Sequence, residues 1–468
     1  MVILAGIGRR GTADICRGPL LINILRFSVP IILSGVLQML FNSADTAVVG
    51  HFGNPTAMAS VGSTASLTHL IVNLFLGMSV GAGVVVAQGI GAEKHDAVQR
   101  TIHTSAVLSV LCGVVVAVIG ILFSPTFLRW MGSPADVIDG AALYMRIYFA
   151  GMPAIMLYNF GSSILRSMGD TKRPLYFLVC AGVINVVLNL IFVIVFKLDV
   201  AGVALATVIS QCGAAVLVVL CLMRLPADIR LDLRHLHPSR KYLMLIMAIG
   251  LPAGLQSCLF SFSNVILQSS VNSFGSVAVS ANAAVSNIDN IIYIAMNGVS
   301  QSVTTFAGQN YGAHNIRRVG RSMLDASLVS TIIGMLLGII ACLLDTQLLS
   351  IFTNDPAVIE MSLDRLFITA STYFLCGLME TFSGTLRGMG RSFLPMVVSL
   401  LGACGLRLLW IFTIFPYHRT LDFLYLSYPL SWGITASVHL LFCLIVLKKE
   451  HNKQDVHSDL PDMRERTA

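Results

Sequence analysis

Residues 103–124 read HTSAVLSVLCGVVVAVIGILFS and contain no aspartate, glutamate, lysine or arginine. A helix needs about 20 mostly apolar residues to cross the ~30 Å hydrocarbon core of a bilayer. The stretch shows no alternation of period two, so a helix fits it and a strand of a β-barrel does not. It therefore predicts a transmembrane helix.

The composition of the whole chain agrees with this stretch. Of its 468 residues, 56% are hydrophobic and 11% are charged, and the mean hydropathy is +0.81. Soluble globular proteins carry roughly 25% charged residues, so a soluble fold and intrinsic disorder are both excluded. The ten cysteines form no CxxC pair, and neither a disulfide framework nor a zinc site is expected.

Similar apolar stretches recur along the chain, which predicts an all-α polytopic membrane protein with twelve transmembrane helices in two six-helix lobes. The expected spans are 25–50, 57–87, 103–124, 137–160, 175–196, 203–223, 245–272, 277–306, 325–345, 362–384, 394–416 and 427–447. The expected domains are an N-terminal arm at 1–24, an N-lobe at 25–223, a linker at 224–244, a C-lobe at 245–447 and a tail at 448–468.

The basic residues predict the orientation. The arm, the tail and every second loop together hold 23 of the 30 lysines and arginines, whereas the alternate loops hold three. By the positive-inside rule both termini are expected in the cytoplasm, with the protein integral to the plasma (inner) membrane. The net charge of +7 is then a signal of topology, and no nucleic-acid partner is expected.

The chain also repeats itself at an offset of 221 residues. Ten identities occur at this offset in two loop regions, among them Gln88 with Gln309 and Pro174 with Pro395. Each repeat holds six spans, so both halves enter the membrane in the same direction. Parallel repeats are related by a pseudo-two-fold axis along the membrane normal, and transporters usually bind substrate where the repeats meet.

Missing motifs exclude other classes of function. No polar stretch exceeds about twenty residues and no GxxxxGK[ST] loop occurs, so an ATP-hydrolysing domain is not expected. The sequence therefore predicts neither an enzyme nor a protein that uses ATP or an organic cofactor.

Three acids lie inside the expected spans and more than three residues from either end, namely Asp45, Asp289 and Glu380. An ionisable side chain at mid-membrane costs roughly 2.5–3.5 kcal/mol on insertion scales and usually marks a function. Asp289 is expected to line the substrate cavity or, alternatively, to be a buried structural acid. Asn287 and Asn290 could hydrogen-bond it.

The other charged residues inside spans have open roles. Glu380 is expected either to pair with Arg387 or to contact substrate. Arg146 and Arg407 are expected to pair with acids or with backbone carbonyls.

Asp45 is expected at the same membrane depth as Asn189, Thr207 and Tyr144. Asn185 and Asn189 are four residues apart and share one face of their helix. A carboxylate among amide and hydroxyl oxygens suits either a proton or a hard cation such as Na⁺. Ordinary interhelical hydrogen bonding is the alternative for the amides and hydroxyls, and an interfacial helix-end position is the alternative for Asp45.

Several motifs resemble those of the multidrug and toxic compound extrusion (MATE) family. They are Pro30…Gln38…Asp45-Thr-Ala-Val-Val-Gly50, Arg166-Ser-Met-Gly-Asp-Thr-Lys-Arg-Pro174, Asn185-Val-Val-Leu-Asn189, Gln309-Asn-Tyr-Gly-Ala313 and Leu386-Arg-Gly-Met-Gly390. The likeness covers residues 26–448. It implies an antiporter that exports amphipathic or cationic drugs in exchange for H⁺ or Na⁺ by alternating access.

The resemblance also implies residue roles. The expected coupling site, which would also hold the metal ion if Na⁺ is the coupling ion, comprises Asp45, Asn185, Asn189 and Thr207. The substrate cavity is expected to include Gln38, Asp45, Tyr144 and Asp289, and Pro30 is the expected hinge of the first span. Some members carry a second aspartate where this chain has Asn189, and others a glutamate in span seven, where this chain has no acid.

Two other functions stay open. A flippase for a lipid or lipid-linked saccharide would place arginines in its cavity, and Arg146, Arg365 and Arg407 lie inside the spans beyond the first turn of span one. A channel or membrane-embedded enzyme would need a polar pore or a catalytic constellation, and neither can be identified. The expected partners are small amphipathic or cationic molecules and the bilayer, with the protein a monomer and no cofactor besides the coupling ion.

Overall fold

A computed structural model describes residues 15–52, 55–131 and 134–458. The first fourteen residues of the expected N-terminal arm and the last ten of the expected tail lie outside the described residues. Within the described ranges the secondary structure is helical and contains no strand.

The helices follow one another with short connections. They are α1 (Leu20–Phe52), α2 (Pro55–Gly91), α3 (His95–Trp130), α4 (Ala135–Ala150), α5 (Met152–Ser167), α6 (Lys172–Leu190), α7 (Asp199–Met223), α8 (Arg240–Asn272), α9 (Ser276–Gly312), α10 (Ile316–Leu343), α11 (Asp345–Leu349), α12 (Pro356–Gly388), α13 (Phe393–Ser399), α14 (Leu406–Leu409), α15 (Leu421–Tyr425) and α16 (Ser427–Ser458). Wider π-helical turns follow α6, α13 and α14, at Ile191–Val195, Leu400–Gly405 and Trp410–Ile414.

These helices have the lengths of membrane spans. Among the described residues, ten helical stretches are long and apolar enough to cross a membrane, and α4 with α5 makes an eleventh with a 49° bend. The bend lies at Gly151 and Pro153, where proline cannot donate its helical hydrogen bond. Helix α9 has 37 residues, as many as α2, but it is more polar and is not one of these eleven; counted as a span on its length, it gives the predicted twelve. The predicted fold class is confirmed.

The chain forms two compact units. Unit 1 contains Arg26–Phe262, and unit 2 contains Ile15–Leu25 together with the residues from Ser263 onward. Arg318 of α10 shows how the early segment joins unit 2, because its guanidinium donates hydrogen bonds to the carbonyl oxygens of Ile15 and Gly18, the latter at 2.9 Å. Both boundaries lie inside helices, α1 and α8, and the lobe limits expected from the sequence stay predictions.

In unit 1, helices α2 and α8 cross at glycines. Gly77 and Gly81 lie one turn apart on α2, and Gly250 and Gly254 lie one turn apart on α8. A Cβ atom built on Gly77 would overlap the backbone nitrogen of Gly254, and one built on Gly254 would overlap the carbonyl oxygen of Leu74. The two backbones are therefore in direct contact, as small residues at this spacing allow in membrane helices.

The loop between α7 and α8 is hydrogen-bonded to α3. His103 of α3 is 2% exposed, and its Nδ1 accepts a hydrogen bond from the backbone N–H of His237 at 3.3 Å. Its Nε2 lies 3.2 Å from the carbonyl oxygen of Arg230. The hydroxyl of Thr104 accepts from the backbone N–H of Ser239 at 3.0 Å. The loop is thus fixed to the helix at several points.

Replacing Gly254 by valine is expected to prevent the α2–α8 contact, because the new side chain would overlap the backbone of α2. The cost should exceed the ~1–3 kcal/mol typical of overpacking, since backbone rather than a flexible side chain must move. The melting temperature in detergent would measure it. Gly62→Ala, also in α2, is the matched control because a Cβ atom there meets nothing within 4 Å. Equal melting temperatures for Gly254→Val and the wild type would contradict the packing described.

Replacing His103 by leucine should release the loop from α3, because both ring nitrogens lose their backbone partners. Two hydrogen bonds at about 1 kcal/mol each correspond to roughly tenfold or more in the open population. Limited trypsin digestion after Arg230 and Arg234 should quicken accordingly. His235→Leu, which alters an exposed histidine of the same loop, is the control. Unchanged cleavage in His103→Leu would show that the loop is held by other contacts.

Candidate functional site

Four polar side chains, Asp45 and the three that surround it, form a hydrogen-bond network in unit 1. Asp45 of α1 accepts hydrogen bonds from the amide nitrogen of Asn189 and from the hydroxyl of Thr207, the latter at 3.2 Å. Asn185 donates to Thr207 and accepts from Asn189, both at 3.3 Å. The structure thus brings together the four residues expected to form the coupling site, from α1, α6 and α7. Their role in coupling stays a prediction.

Local features of α6 let α1 approach it. Gly182 lies one turn before Asn185, and a Cβ atom built there would overlap the ring of Phe41 of α1. The missing side chain therefore admits Phe41. The π-helical turn that begins at Ile191 follows Asn189 closely, and such turns are frequent at functional sites.

The network is buried and carries no positive charge. Asp45 is 9% exposed, and Asn185 and Asn189 are buried. In the part of the chain that the structure describes, no lysine, arginine or histidine forms an ion pair with Asp45. Burying an ionised carboxylate without a counter-charge is costly, so this site is suited to take up a proton or a monovalent cation.

The oxygen atoms of the network could act as ligands. The amide oxygen of Asn189 is buried and has no hydrogen-bond partner among the described residues. Together with the oxygens of Asp45, Asn185 and Thr207 it forms a donor set of the kind that a hard cation prefers. No group of three or more histidines, cysteines and acids that could hold a metal ion occurs in the described ranges.

Tyr144 and Gln38, expected in the substrate cavity, have different surroundings. Tyr144 packs against the apolar cluster that contains Val48 and Val49, one turn beyond Asp45, and its ring stacks on Tyr148 at 6.1 Å between centroids. Gln38 is exposed, seven residues before Asp45, and has no side-chain hydrogen bond within the described chain. Nothing in this geometry tests a contact with substrate.

Pro30, the expected hinge, is buried inside α1 and interrupts its backbone hydrogen bonding. Its carbonyl oxygen accepts a hydrogen bond from the hydroxyl of Ser34 at 2.8 Å. Pro252 lies inside α8, the first helix of the second repeat, and takes the same place. Sequence reasoning missed Pro252. The internal repeat could have found it, but the identities that reveal the repeat lie in two loop regions and do not reach this helix.

Asp289 of α9 forms a buried ion pair in unit 2. Its Oδ2 lies 3.2 Å from Nη2 of Arg365 in α12, and its Oδ1 accepts a hydrogen bond from Thr369 at 3.0 Å. Asn287 and Asn290 were expected to be able to hydrogen-bond Asp289, and neither does so among the described contacts, so this expectation is wrong. The amide of Asn287 donates instead to the backbone carbonyl one turn earlier in the same helix. Sequence reasoning missed this partner. The signal that could have found it is that Arg365 is a base that also lies inside an expected span.

The remaining charged residues of unit 2 are placed as follows. Glu380 pairs with Arg387 at 3.1 Å, which is one of the two possibilities left open. Arg407 was expected to pair with an acid or a backbone carbonyl, and this is wrong for the described residues. Its guanidinium donates instead to side-chain oxygens of Ser431, at 3.0 Å, and Asn264, at 3.4 Å.

Comparison with known proteins identifies the family. The MatE family profile matches residues 30–191 and 252–413, and the two matches begin at Pro30 and Pro252. The "Probable multidrug resistance protein YoeA" of Bacillus subtilis is 29% identical over 91% of this chain and 93% of its own length. The "Probable multidrug resistance protein NorM" of Thermotoga maritima is 25% identical over 85% of this chain and 86% of its own length.

Solved structures share the fold. A structure described as the outward-facing conformation of a multidrug resistance MATE family transporter of the MOP superfamily superposes with a TM-score of 0.88 at 23% identity, over 94% of this chain and 99% of that one. A crystal structure of MATE in the straight conformation gives a TM-score of 0.88 over 94% and 100%. Both family matches together cover more than half of the chain. The chain belongs to the MatE family and is an integral membrane transporter, not an enzyme.

Proposed function

We propose that the protein is a secondary antiporter that exports amphipathic or cationic small molecules in exchange for H⁺ or Na⁺, and that Asp45 is the site of exchange. The burial of Asp45 among neutral polar side chains without a base carries this proposal. The names of the relatives, "multidrug resistance" and "multidrug export" proteins, support small drug-like molecules as substrates.

The other two intramembrane acids support this choice because each has its own counter-charge. Asp289 is paired with Arg365, and Glu380 is paired with Arg387. Breaking a buried ion pair by removing one partner costs about 3–5 kcal/mol, so a passing cation gains little from these acids. Asp45 is left as the acid at which a cation can be exchanged. Of the arginines inside the spans, Arg365 is paired with Asp289 and is therefore not free for the anionic headgroup that a lipid flippase would bind.

The proposed cycle uses the charge of Asp45. When Asp45 is ionised, an organic cation is attracted strongly because the site is buried and its dielectric constant is low. A proton or Na⁺ from the outside then neutralises the carboxylate, and the organic cation loses its counter-charge and leaves outward. Thr207 and Asn189 hold the carboxylate in place in the ionised form.

The neutral form has partners as well. The free amide oxygen of Asn189 can accept the proton of a protonated Asp45 after a flip of its amide group, or it can become a ligand of Na⁺. Pro30 lets α1 bend between the two states because its nitrogen makes no hydrogen bond.

Orientation and energetics complete the proposal. The distribution of lysines and arginines supports cytoplasmic termini, and we propose that the protein lies in the plasma (inner) membrane. We further propose that it acts as a monomer and, since the sequence has no GxxxxGK[ST] loop, without ATP. With one coupling ion per monovalent substrate cation no net charge crosses the membrane, so the concentration gradient of the ion drives the exchange, and a tenfold ion gradient, about 1.4 kcal/mol, supports a tenfold substrate gradient.

Replacing Asp45 by asparagine should abolish ion-driven efflux while leaving the protein folded, because asparagine keeps the shape and loses the titratable charge. Uptake of a fluorescent organic cation into inverted vesicles, with H⁺ and Na⁺ gradients imposed separately, should fall by at least about tenfold. Asp136→Asn, at an exposed acid in the first turn of α4, is the control and should transport normally. Efflux at wild-type rates in Asp45→Asn would remove Asp45 from the mechanism, and no effect of either gradient on the wild type would refute antiport.

The pairing of the other acids predicts that one coupling ion is exchanged per monovalent substrate cation. In proteoliposomes at zero membrane potential, the logarithm of the substrate ratio at zero net flux should rise with the imposed pH or pNa difference with a slope near one. Asp45→Asn liposomes provide the leak control. A slope near two would show that a second acid also releases its ion during the cycle.

A further inference from the structure

Arg407 occupies the junction of unit 2 that corresponds to the Asp45 network of unit 1. The two family matches begin at 30 and 252 and end at 191 and 413, so they are 222 residues apart at both limits, whereas the loop identities between these limits are 221 apart. By the offset of 222 Arg407 corresponds to Asn185, and Asn264 corresponds to Asn42. From Gln309 to Pro395 the offset is 221, and the π-helical turn Leu400–Gly405, which lies between Pro395 and Arg407, accommodates the extra residue.

The guanidinium of Arg407 lies in a neutral, partly aromatic environment. Arg407 is 3% exposed, and its Nε and Nη1 donate to the oxygens of Ser431 and Asn264. Its central carbon lies 4.4 Å from the ring centre of Tyr428 and 5.7 Å from that of Trp432. The ring faces supply a favourable cation–π interaction but no negative charge.

Arg407 differs in this respect from the other buried bases of unit 2. Arg365 has Asp289 as its partner, and Arg387 has Glu380. Across the described residues Arg407 forms no ion pair, and its Nη2 has no acceptor. A guanidinium has five N–H donors in a fork that matches a carboxylate, and only two of them are used here.

The cost of burying this charge indicates the missing partner. A buried cation with neutral partners alone is unfavourable, and an anion that accepts the unused N–H donors would remove the cost. If a molecule binds Arg407 through an anionic group, the rest of that molecule lies next to the ring of Tyr428 or Trp432. Flat aromatic groups pack well against such rings.

We propose that Arg407 forms a binding site for a monovalent anion, in particular for a carboxylate attached to an aromatic ring. A free inorganic anion has the same charge without the ring, and the two sources can be separated by experiment. The binding site does not depend on antiport. Its use for substrates rests on the proposed export function, and it extends the substrates of this transporter to aromatic compounds that carry a carboxylate.

Trp432 can report on the site directly. The chain contains three tryptophans, so Trp130→Phe with Trp410→Phe leaves Trp432 as the single fluorophore. Purified protein in a sulfate buffer would be titrated with benzoate, with neutral benzamide and with chloride. We expect a saturable fluorescence change with benzoate and none with benzamide. A saturable change with chloride alone would assign the site to inorganic anions, and no change with benzoate or chloride would overturn the proposal.

Two variants at Arg407 test whether the anion binds there. Arg407→Gln should weaken benzoate binding by at least about tenfold, because the charge and the donor fork are lost. Arg407→Lys keeps the charge without the fork and should bind more weakly than the wild type but more strongly than Arg407→Gln, which keeps the test valid if the glutamine variant does not fold. Wild-type benzoate affinity in a folded Arg407→Gln protein would overturn the assignment.

The Asp45→Asn variant separates this inference from the proposed function. It should bind benzoate with unchanged affinity although its ion-driven efflux is lost. If efflux survives in Asp45→Asn, the coupling proposal fails and the anion site stands. If benzoate binding is absent in a protein that exports cations, the anion site fails and the coupling proposal stands.

Discussion

A carboxylate buried in a membrane without a base beside it is the constraint on which the rest of this structure depends. Asp45 is held by hydrogen-bond donors that keep it in place but do not neutralise it. The helices meet closely enough for this only because Gly182 leaves room for Phe41. An arginine at any of these positions would neutralise the carboxylate, and Asp45 could then not serve the cation exchange proposed above.

The two repeats use one scaffold with opposite charge. The junction of α1, α6 and α7 contains an acid without a base, whereas the junction that contains Arg407 has, in the described chain, a base without an acid. The acids of unit 2, Asp289 and Glu380, are instead paired within their own unit. Duplication thus preserved the helix order while the charged side chains at equivalent places diverged, which gives each unit a different chemistry.

The sequence was sufficient where the arrangement follows from direction and spacing. The apolar stretches and the placement of basic residues determine which ends of the spans lie at the same depth, and Asn185 and Asn189 share a helix face. The meeting of Asp45 with Asn189 and Thr207 follows from these facts. Which side chain donates to which oxygen of Asp45 cannot be derived in this way, because it depends on side-chain rotamers and on the close contact at Gly182.

Contacts between residues far apart in sequence were out of reach. The partner of Asp289 is 76 residues away on another helix, and no periodicity in either helix indicates the pair. The glycine pairs of α2 and α8 are visible as small residues four apart, but the pattern does not say which helix each pair faces. Arg407 was assigned the partners that a buried arginine usually has, and its neutral, aromatic surroundings could not be read from neighbouring residues.

The position of the unit boundaries inside α1 and α8 has a consequence for biogenesis. Unit 1 needs the first part of α8, up to Phe262, so it is not complete when the ribosome has finished α7. Ile15–Leu25 precedes the described part of unit 1 in the chain yet belongs to unit 2, and Arg318, which binds its carbonyls, is translated some three hundred residues later. Unit 2 can therefore be completed only after all of unit 1 has been synthesised, and Ile15–Leu25 is separated from its partner helix throughout that time.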